Sequence, residues 1–306
     1  MLTLQDVRNV SLLSVLAVFA WLLPERAWPR VARLLATVEV GLFGSRPGRH
    51  IDRLRRVLGD KIPRDSARQI EVARTAGYHE DAMQIFASYR PWRWQPSIEL
   101  CGRENLDAAL QGGNGAILWV GNFSSSSLVT KMAFGRAGVP VSHLSRPAHG
   151  FSRTRFGIRF LNPIRTRVED RYLGARVSMP DDTSVAPFRT LRKRLRANGV
   201  VSITVGQWAR KTVSTPFFGG TIRLATGPAN LAQAAKAPLL PVFTVRNGSG
   251  VFEVHIGAPV NVAAANDRDD AFAATARRYV QALEPYVLDY PGQWRGWPRL
   301  VLDDPM

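Results

Sequence analysis

Residues 115–128 read GAILWVGNFSSSSL, an apolar strand that runs into a turn and then into a serine-rich helix start. Where a strand end meets a helix N-terminus, unpaired backbone amides favour negative charge, and α/β sheets place their ligands there. Asn122 and the serines 124–127 stand on that rim. They form a candidate site, or else four polar residues that cap a helix.

Working outward, the same alternation continues in both directions. SIELCG (97–102) precedes the stretch as a short β-type run. SLVTKMAFGRAG (127–138) follows as a helix closed by glycine, and VPVSHLS (139–145) as a strand. SVAPFRTLRKRLRANG (184–199) reads as an arginine-rich helix, VVSITVG (200–206) as a strand and TGPANLAQAAKA (226–237) as a small-residue helix. PLLPVFTVR (238–246) and VFEVHIGAPV (251–260) read as strands, and 271–291 as a long closing helix. Strands alternating with helices predict an α/β fold with a central, mostly parallel sheet covered by helices on both faces. Upstream, residues 31–89 read as helical, with apolar positions recurring at three and four. The expected division is a helical region over 1–75 and the sheet-bearing domain over 76–306.

The chain has 306 residues, 45% of them hydrophobic and 21% charged, which fits a globular protein with a sizeable core. Its net charge of +17 comes from 41 basic and 24 acidic residues, and the basic excess is almost wholly arginine. A single cysteine, Cys101, excludes a disulfide framework and a cysteine-built zinc site, and fits a reducing compartment. No Walker loop and no G-x-G-x-x-G after a strand is present, and the five histidines are scattered, so no metal and no resident cofactor is expected. Nucleic acid, the obvious partner for such charge, lacks a helix-turn-helix, an RNP motif or interleaved stacking aromatics and is not expected.

Residues 10–23 (VSLLSVLAVFAWLL) are uncharged and close on Pro24. Fourteen helical residues rise about 21 Å, short of the roughly 30 Å hydrocarbon core, so spanning is not expected. Asp6 and Arg8 nearly cancel and 21–30 reads on as helix, so a cleaved signal peptide is not expected either. Two readings remain: a core helix, or a helix dipping into one leaflet with Trp21, Trp28 and arginines at the headgroups. The basic surplus favours the second, a peripheral or monotopic protein held on an anionic membrane surface.

Residues 215–243 (TPFFGGTIRLATGPANLAQAAKAPLLPVF) join a loop of two aromatics and two glycines to a small-residue helix and a buried strand. In that order they resemble the bacterial lipid A and phosphatidylinositol mannoside acyltransferases, a branch of the lysophospholipid acyltransferase superfamily. IELCGRENLDAALQGGNGAILWVGNF (98–123) and YPGQWRGWP (290–298) resemble the family's lead-in to its catalytic motif and its C-terminal signature. The resemblance spans roughly 75–299. It implies transfer of a fatty acyl group from an acyl-carrier-protein or coenzyme A thioester, as co-substrate and partner, to a lipid or amphipathic acceptor.

The catalytic motif departs from the family. Members carry His-x4-Asp/Glu, the imidazole taking the acceptor's proton and the carboxylate orienting it. Aligned on Gly121 and Phe123, these positions hold Asn122 and Ser127, and the family's later acidic position holds Gly206 beside Gln207. A neutral amide cannot accept that proton. Three readings follow: acyl transfer to an amine or with a base recruited from His143 or His149; a serine such as Ser124 acting as acyl-enzyme nucleophile; or a silent relative that binds acyl chains or a partner enzyme. The resemblance further assigns Arg146, Phe217, Phe218, Gly219, Gly220, Thr226 and Gly227, with Gln207, to substrate binding. Arginines crowd 146–176 and 189–196, either as a solvated face or as a surface for anionic lipid or an acidic carrier protein.

Overall fold

The computed structural model describes residues 3–42, 45–59, 66–180, 184–206, 209, 211–260, 262 and 268–301. Helices α1 (Leu4–Leu22), α2 (Trp28–Leu42), α3 (Ser45–Leu58) and α4 (Ser66–Ala87) come first. The sheet region follows as β1 (Ile98–Cys101), α5 (Arg103–Gln111), β2 (Ala116–Val120), α6 (Ser126–Arg136), β3 (Val141–Ser145), α7 (Asn162–Asp170), β4 (Ala175–Ser178), α8 (Ala186–Arg196) and β5 (Val200–Thr204). The chain continues through β6 (Thr212–Phe217), β7 (Gly220–Ala225), α9 (Gly227–Ala235), β8 (Leu239–Arg246), β9 (Phe252–Ile256) and α10 (Arg268–Asp289).

Seven strands form one sheet in the order β1-β9-β8-β2-β5-β3-β4. Strands β8, β2, β5, β3 and β4 run parallel, whereas β9 is antiparallel to β8 and carries β1 parallel to itself. The expected mostly parallel sheet is therefore present. Central β2 is buried on both faces, which is why it reads as an unbroken apolar run. Ile117 and Trp119 join Val201, Ile203 and Phe243 under α8, α9 and α10, while Leu118 and Val120 face Leu128, Met132 and Met83 of α6 and α4. Gly115 starts β2 at φ +67°, where a Cβ would lie 2.3 Å from the Gly199 carbonyl oxygen. Only glycine fits both the turn and that approach.

The structure differs from the sequence reading in three places. The aromatic-glycine segment is not an open loop: β6 and β7 form an antiparallel hairpin turning at Phe218–Gly219, with Phe218 at φ 54°. Arginine-rich 157–178 is not featureless, since a π-helical turn leads into α7 and then edge strand β4. The first helix does not continue past Leu22, because Pro24 and a 3₁₀ turn re-aim the chain into α2. Helix α4 runs unbroken past residue 75, and α1 and α2 pack against it.

Trp28, expected at the headgroups, is buried against Trp94 at 6.5 Å between ring centroids, and its indole N–H donates to the Leu23 carbonyl. Helix α1 buries Leu16 and Ala20 but leaves Leu4, Val7, Val15, Val18, Trp21 and Leu22 exposed. Among the described residues, no helix is long and apolar enough to cross a membrane.

Candidate active site

At the C-terminal end of β2 the chain turns through Gly121, Asn122 and Phe123. A C-terminal strap holds this turn in place. Arg295 N–H donates to the Asn122 carbonyl at 2.9 Å, Ser124 N–H donates to the Gln293 carbonyl at 2.7 Å, and Phe123 bridges antiparallel to Trp294. The Gln293 side chain accepts from Arg246 N–H and donates to the Arg246 carbonyl, which ties the strap to the end of β8. The QWR triplet thus clamps the turn.

The N-cap serine behind the turn does not cap α6, the second of the two readings the serine run offered. Ser125 occupies the N-cap position at φ 61°, but its side chain makes no capping bond. Its N–H donates to Asp81 Oδ1 at 2.7 Å, and its hydroxyl accepts from the Gln84 amide at 2.9 Å. The carboxylate of Asp81, on α4, therefore takes the place at this helix terminus that an anionic ligand would otherwise fill. Asp81 also pairs with Arg165 at 3.2 Å and Arg295 at 2.9 Å. Ser126 donates to the Phe123 carbonyl, and the Ser127 hydroxyl accepts from Arg165.

Behind Ser127 lies a buried ionic network. Glu169, with no exposed surface, meets His149 at 2.9 Å, Arg176 at 2.9 Å, Arg165 at 3.1 Å and Lys131 at 3.4 Å. Burial alone would raise the Glu169 carboxyl, yet Lys131, His149 and Arg165 together hold it well below the usual carboxylate range. Burial pulls the Lys131 ammonium down to about 8, with Glu169 opposing. Burial, reinforced by Lys131, holds His143 well below the ordinary imidazole value. Burial likewise lowers His149, against the pull of Glu169.

Neither histidine serves Asn122. His143 Nδ1 hydrogen-bonds Ser202 Oγ at 2.8 Å, and His149 Nε2 lies 2.9 Å from both Glu169 oxygens. The arginines of 146–176 and of 189–196 differ in their setting. Arg165, Arg171 and Arg176 turn inward to carboxylates or the Ser88 carbonyl, while α8 keeps Arg189, Arg192, Lys193, Arg194 and Arg196 exposed with Leu191 and Leu195 beneath.

On the opposite side of the turn a small cleft, partly open to solvent, contains Asn122. Gly121, Val205, Ile222, Leu283, Trp294 and Gly296 supply its apolar and backbone walls, and Tyr279, Arg223 and Arg299 its polar ones. Every polar side chain here, Asn122 included, offers an N–H or O–H donor. Among the described residues, no imidazole or carboxylate lines the cleft. The Tyr279 side chain is fully buried and its hydroxyl has no hydrogen-bond partner; burial pushes that phenol well above its usual range.

The other expected site residues lie outside this lining. Arg146 follows β3, half-buried, with its carbonyl accepting from His149 N–H. Phe217 packs on Phe218 and Trp294, and Phe218 stacks on Trp297. Gly219 N–H donates to the Val57 carbonyl, and Gly220 pairs with Phe217 across the hairpin. Thr226 bonds the Lys211 carbonyl, and Gly227 packs on Phe188. The Ser124 hydroxyl is enclosed without a partner against Gly77 of α4, where a Cβ would fall 2.2 Å from it. Gln207 lies outside the described residues.

Sequence reasoning missed Tyr279, Arg223 and Arg299. Alternation in GTIRLA, with Ile222 and Leu224 inward, was a legible strand signal that pointed Arg223 away from the core. No comparable pattern marks Tyr279 or Arg299.

A family model for bacterial lipid A biosynthesis acyltransferase matches residues 12–297. Phosphatidylinositol mannoside acyltransferases of two Mycobacterium tuberculosis strains, ATCC 25618 / H37Rv and CDC 1551 / Oshkosh, are each 28% identical over 193 residues, covering 62% of this chain. The chain matches 56% of the length of these curated relatives. A crystal structure of the 1-acyl-sn-glycerophosphate (LPA) acyltransferase PlsC from Thermotoga maritima aligns over 94% of this chain and 98% of its own, at 13% identity and a TM-score of 0.38.

Proposed function

Because the chain belongs to the bacterial lipid A biosynthesis acyltransferase family, we propose that it transfers a fatty acyl group from a carrier-protein or coenzyme A thioester to an amphipathic acceptor in the cleft beside Asn122, and that the acceptor's nucleophile is an amine. The observation that carries this reading is the lining of the cleft: hydrogen-bond donors and apolar walls, with no proton acceptor among the described side chains. Such a site suits charge that develops on a carbonyl oxygen but does not help deprotonate an alcohol. A free amine needs no such help. Its nitrogen attacks the thioester carbonyl, the carbon–sulfur bond breaks, and the proton lost from nitrogen leaves with the thiolate as thiol, giving amide plus thiol. The Asn122 side-chain N–H donates to the oxyanion of the tetrahedral intermediate, while Ile222, Leu283 and Trp294 hold the chain.

Two surfaces support the partners in this reading. The exposed apolar row on α1, joined by Leu34, Val38 and Leu42 of α2 and flanked by exposed Arg26, Arg30 and Arg33, suits an anionic membrane surface without spanning it. We place the protein there, on the cytoplasmic face of the inner membrane. The basic face of α8, on the same side of the sheet as the cleft, suits an acidic carrier protein.

Purified full-length protein incubated with a radiolabelled acyl thioester and either a long-chain amine or the matching alcohol tests the reading. Acylated amine should form. The rate should rise with pH through the amine's own pKa, with no inflection in the imidazole range near 6.5. Asn122→Ala should lower kcat by about 10²- to 10³-fold. Product only from the alcohol, an imidazole-range inflection, or an unimpaired Asn122→Ala would overturn it. Saturable acyl binding without any product would instead mark a silent relative.

A further inference from the structure

A buried hydroxyl without a hydrogen-bond partner costs folding free energy, so one that persists in a native fold calls for a use. Tyr279 of α10 is such a group. Its side chain is fully enclosed and its hydroxyl meets no donor or acceptor among the described residues, yet it lines the cleft that contains Asn122. The ring itself is well held. It packs on Trp119 of β2 at 4.1 Å and on Phe243 of β8 at 5.7 Å between centroids. Leu283, one helical turn further along α10, lines the cleft as well, so a single face of the helix forms this wall.

The opposite wall is the end of β2. Gly121 N–H donates to the Val242 carbonyl at 2.7 Å, so the ladder runs on past Val120, and alternation sets Trp119 and Gly121 on one face of the strand. The aromatic partner of Tyr279 therefore lies on the same face as Gly121, which borders the cleft next to Asn122. Two donors from distant parts of the chain meet one small opening, an amide from the strand end and a phenol from the closing helix. Burial holds the phenol well above its usual range, so at neutral pH it keeps its proton and can donate but not abstract.

We infer that Tyr279 is a catalytic residue whose hydroxyl donates a hydrogen bond to the carbonyl oxygen of the acyl thioester, alongside the Asn122 amide. This rests on the proposed acyl transfer and adds a second donor to it. The nitrogen–carbon bond forms, the carbon–sulfur bond breaks and the thiol departs as before. The Tyr279 proton stays on its own oxygen, and the negative charge that gathers on the substrate oxygen is shared between two donors. A hydroxyl with no partner in the free protein gives up no existing bond to do this.

Infrared difference spectroscopy of the full-length protein with octanoyl-coenzyme A, labelled with carbon-13 at its carbonyl, reads this hydrogen bond without requiring turnover. The bound carbonyl band should lie below its position in an apolar solvent, and Tyr279→Phe should move it back upward. In the amine assay, Tyr279→Phe should lower kcat by about 10²-fold and leave KM nearly unchanged, since the bond strengthens as charge develops. Its urea midpoint should be no lower than that of wild type, which separates a reserved donor from a structural tyrosine. Thr215→Val is the control. It removes another enclosed hydroxyl without a partner, on β6 and outside the cleft lining, and should leave band and kcat as they are. A band that does not move in Tyr279→Phe, an unchanged kcat, or an equal effect of Thr215→Val overturns the inference. A lowered urea midpoint with an unmoved band also overturns it, and marks a hydroxyl satisfied by an ordered water. Wild-type product formation by Tyr279→Phe sinks the role of Tyr279 alone. A Tyr279-dependent band shift without any product sinks the transfer alone.

Discussion

Replacing Glu169 by glutamine keeps its volume and removes its charge, which isolates the electrostatic role of the buried network. Four groups lie within 3.4 Å of its carboxylate, and Lys131, Arg165 and Arg176 are themselves largely shielded from water. Stranding buried cations in this way costs about 3–5 kcal/mol. At about 2.1 cal/mol/K per residue, 306 residues give an unfolding entropy of roughly 0.64 kcal/mol/K, so the thermal midpoint should fall by about 5–8 °C at pH 7. Lys131→Met is the counter-experiment. Its ammonium sits near 8 when folded against 10.5 when free, so at pH 7 the folded state carries the penalty of a buried charge, while Glu169 retains two arginines without it. That variant should stay within about 1 kcal/mol of wild type or exceed it. Acid titration adds a second reading. Glu169 is lowered on folding, so its contribution is complete above about 4.5 and is lost as pH falls through its folded value. His143 is also lowered, so the unfolded chain protonates first and stability declines from about pH 6.5 downward. In Glu169→Gln the limb below pH 4.5 should flatten while the limb below 6.5 persists. Differential scanning calorimetry across pH 3–8 measures both. A Glu169→Gln midpoint shift under 2 °C, or one smaller than that of Lys131→Met, would refute the reasoning.

Tyr279→Phe should raise the unfolding free energy by about 1–3 kcal/mol, because it deletes a buried hydroxyl that has no partner; urea titration that finds it destabilised would show that the hydroxyl is satisfied in solution. Gly77→Ala should cost about 1–3 kcal/mol and lower acyl binding together with stability, since the new methyl meets the Ser124 hydroxyl and Cβ. Val18→Glu on the exposed row of α1 should abolish sedimentation with anionic vesicles while leaving the thermal midpoint within about 1 °C, and wild-type sedimentation should diminish in high salt.

The sheet was readable because its central strands obey simple rules. Residues 116–120 and 238–243 are apolar without interruption since both faces are covered, and glycines mark where β2 begins and ends. The hairpin of β6 and β7 escaped because its turn is Phe218–Gly219, with the positive φ on a phenylalanine rather than on the asparagine or glycine that announces a two-residue turn. Helix α7 and strand β4 escaped because arginines that normally signal solvent, Arg165 and Arg176, point at Glu169 instead. Within the site, Asn122 could be named from the strand end alone. Its companions could not. Tyr279 and Arg299 arrive from helix and strap far along the chain, and only tertiary pairing places them at one opening. The serine run was ambiguous for a related reason: of its two readings, helix caps or a ligand rim, neither anticipates a carboxylate from a distant helix that takes the Ser125 amide.

That substitution at the helix terminus bears on what the cleft selects. The N-terminus of α6 is the place where a βα turn offers positive potential to a ligand, and here Asp81 neutralises it from within. Asp81 in turn draws Arg295 to its own side, at 2.9 Å, while the backbone of the same residue holds the Asn122 carbonyl. One arginine therefore links the self-compensated layer to the turn that faces the cleft. An amide facing the cleft stabilises an oxyanion but cannot generate a nucleophile. In the proposed reaction, a site arranged in this way rewards a substrate that brings its own lone pair, as an amine does.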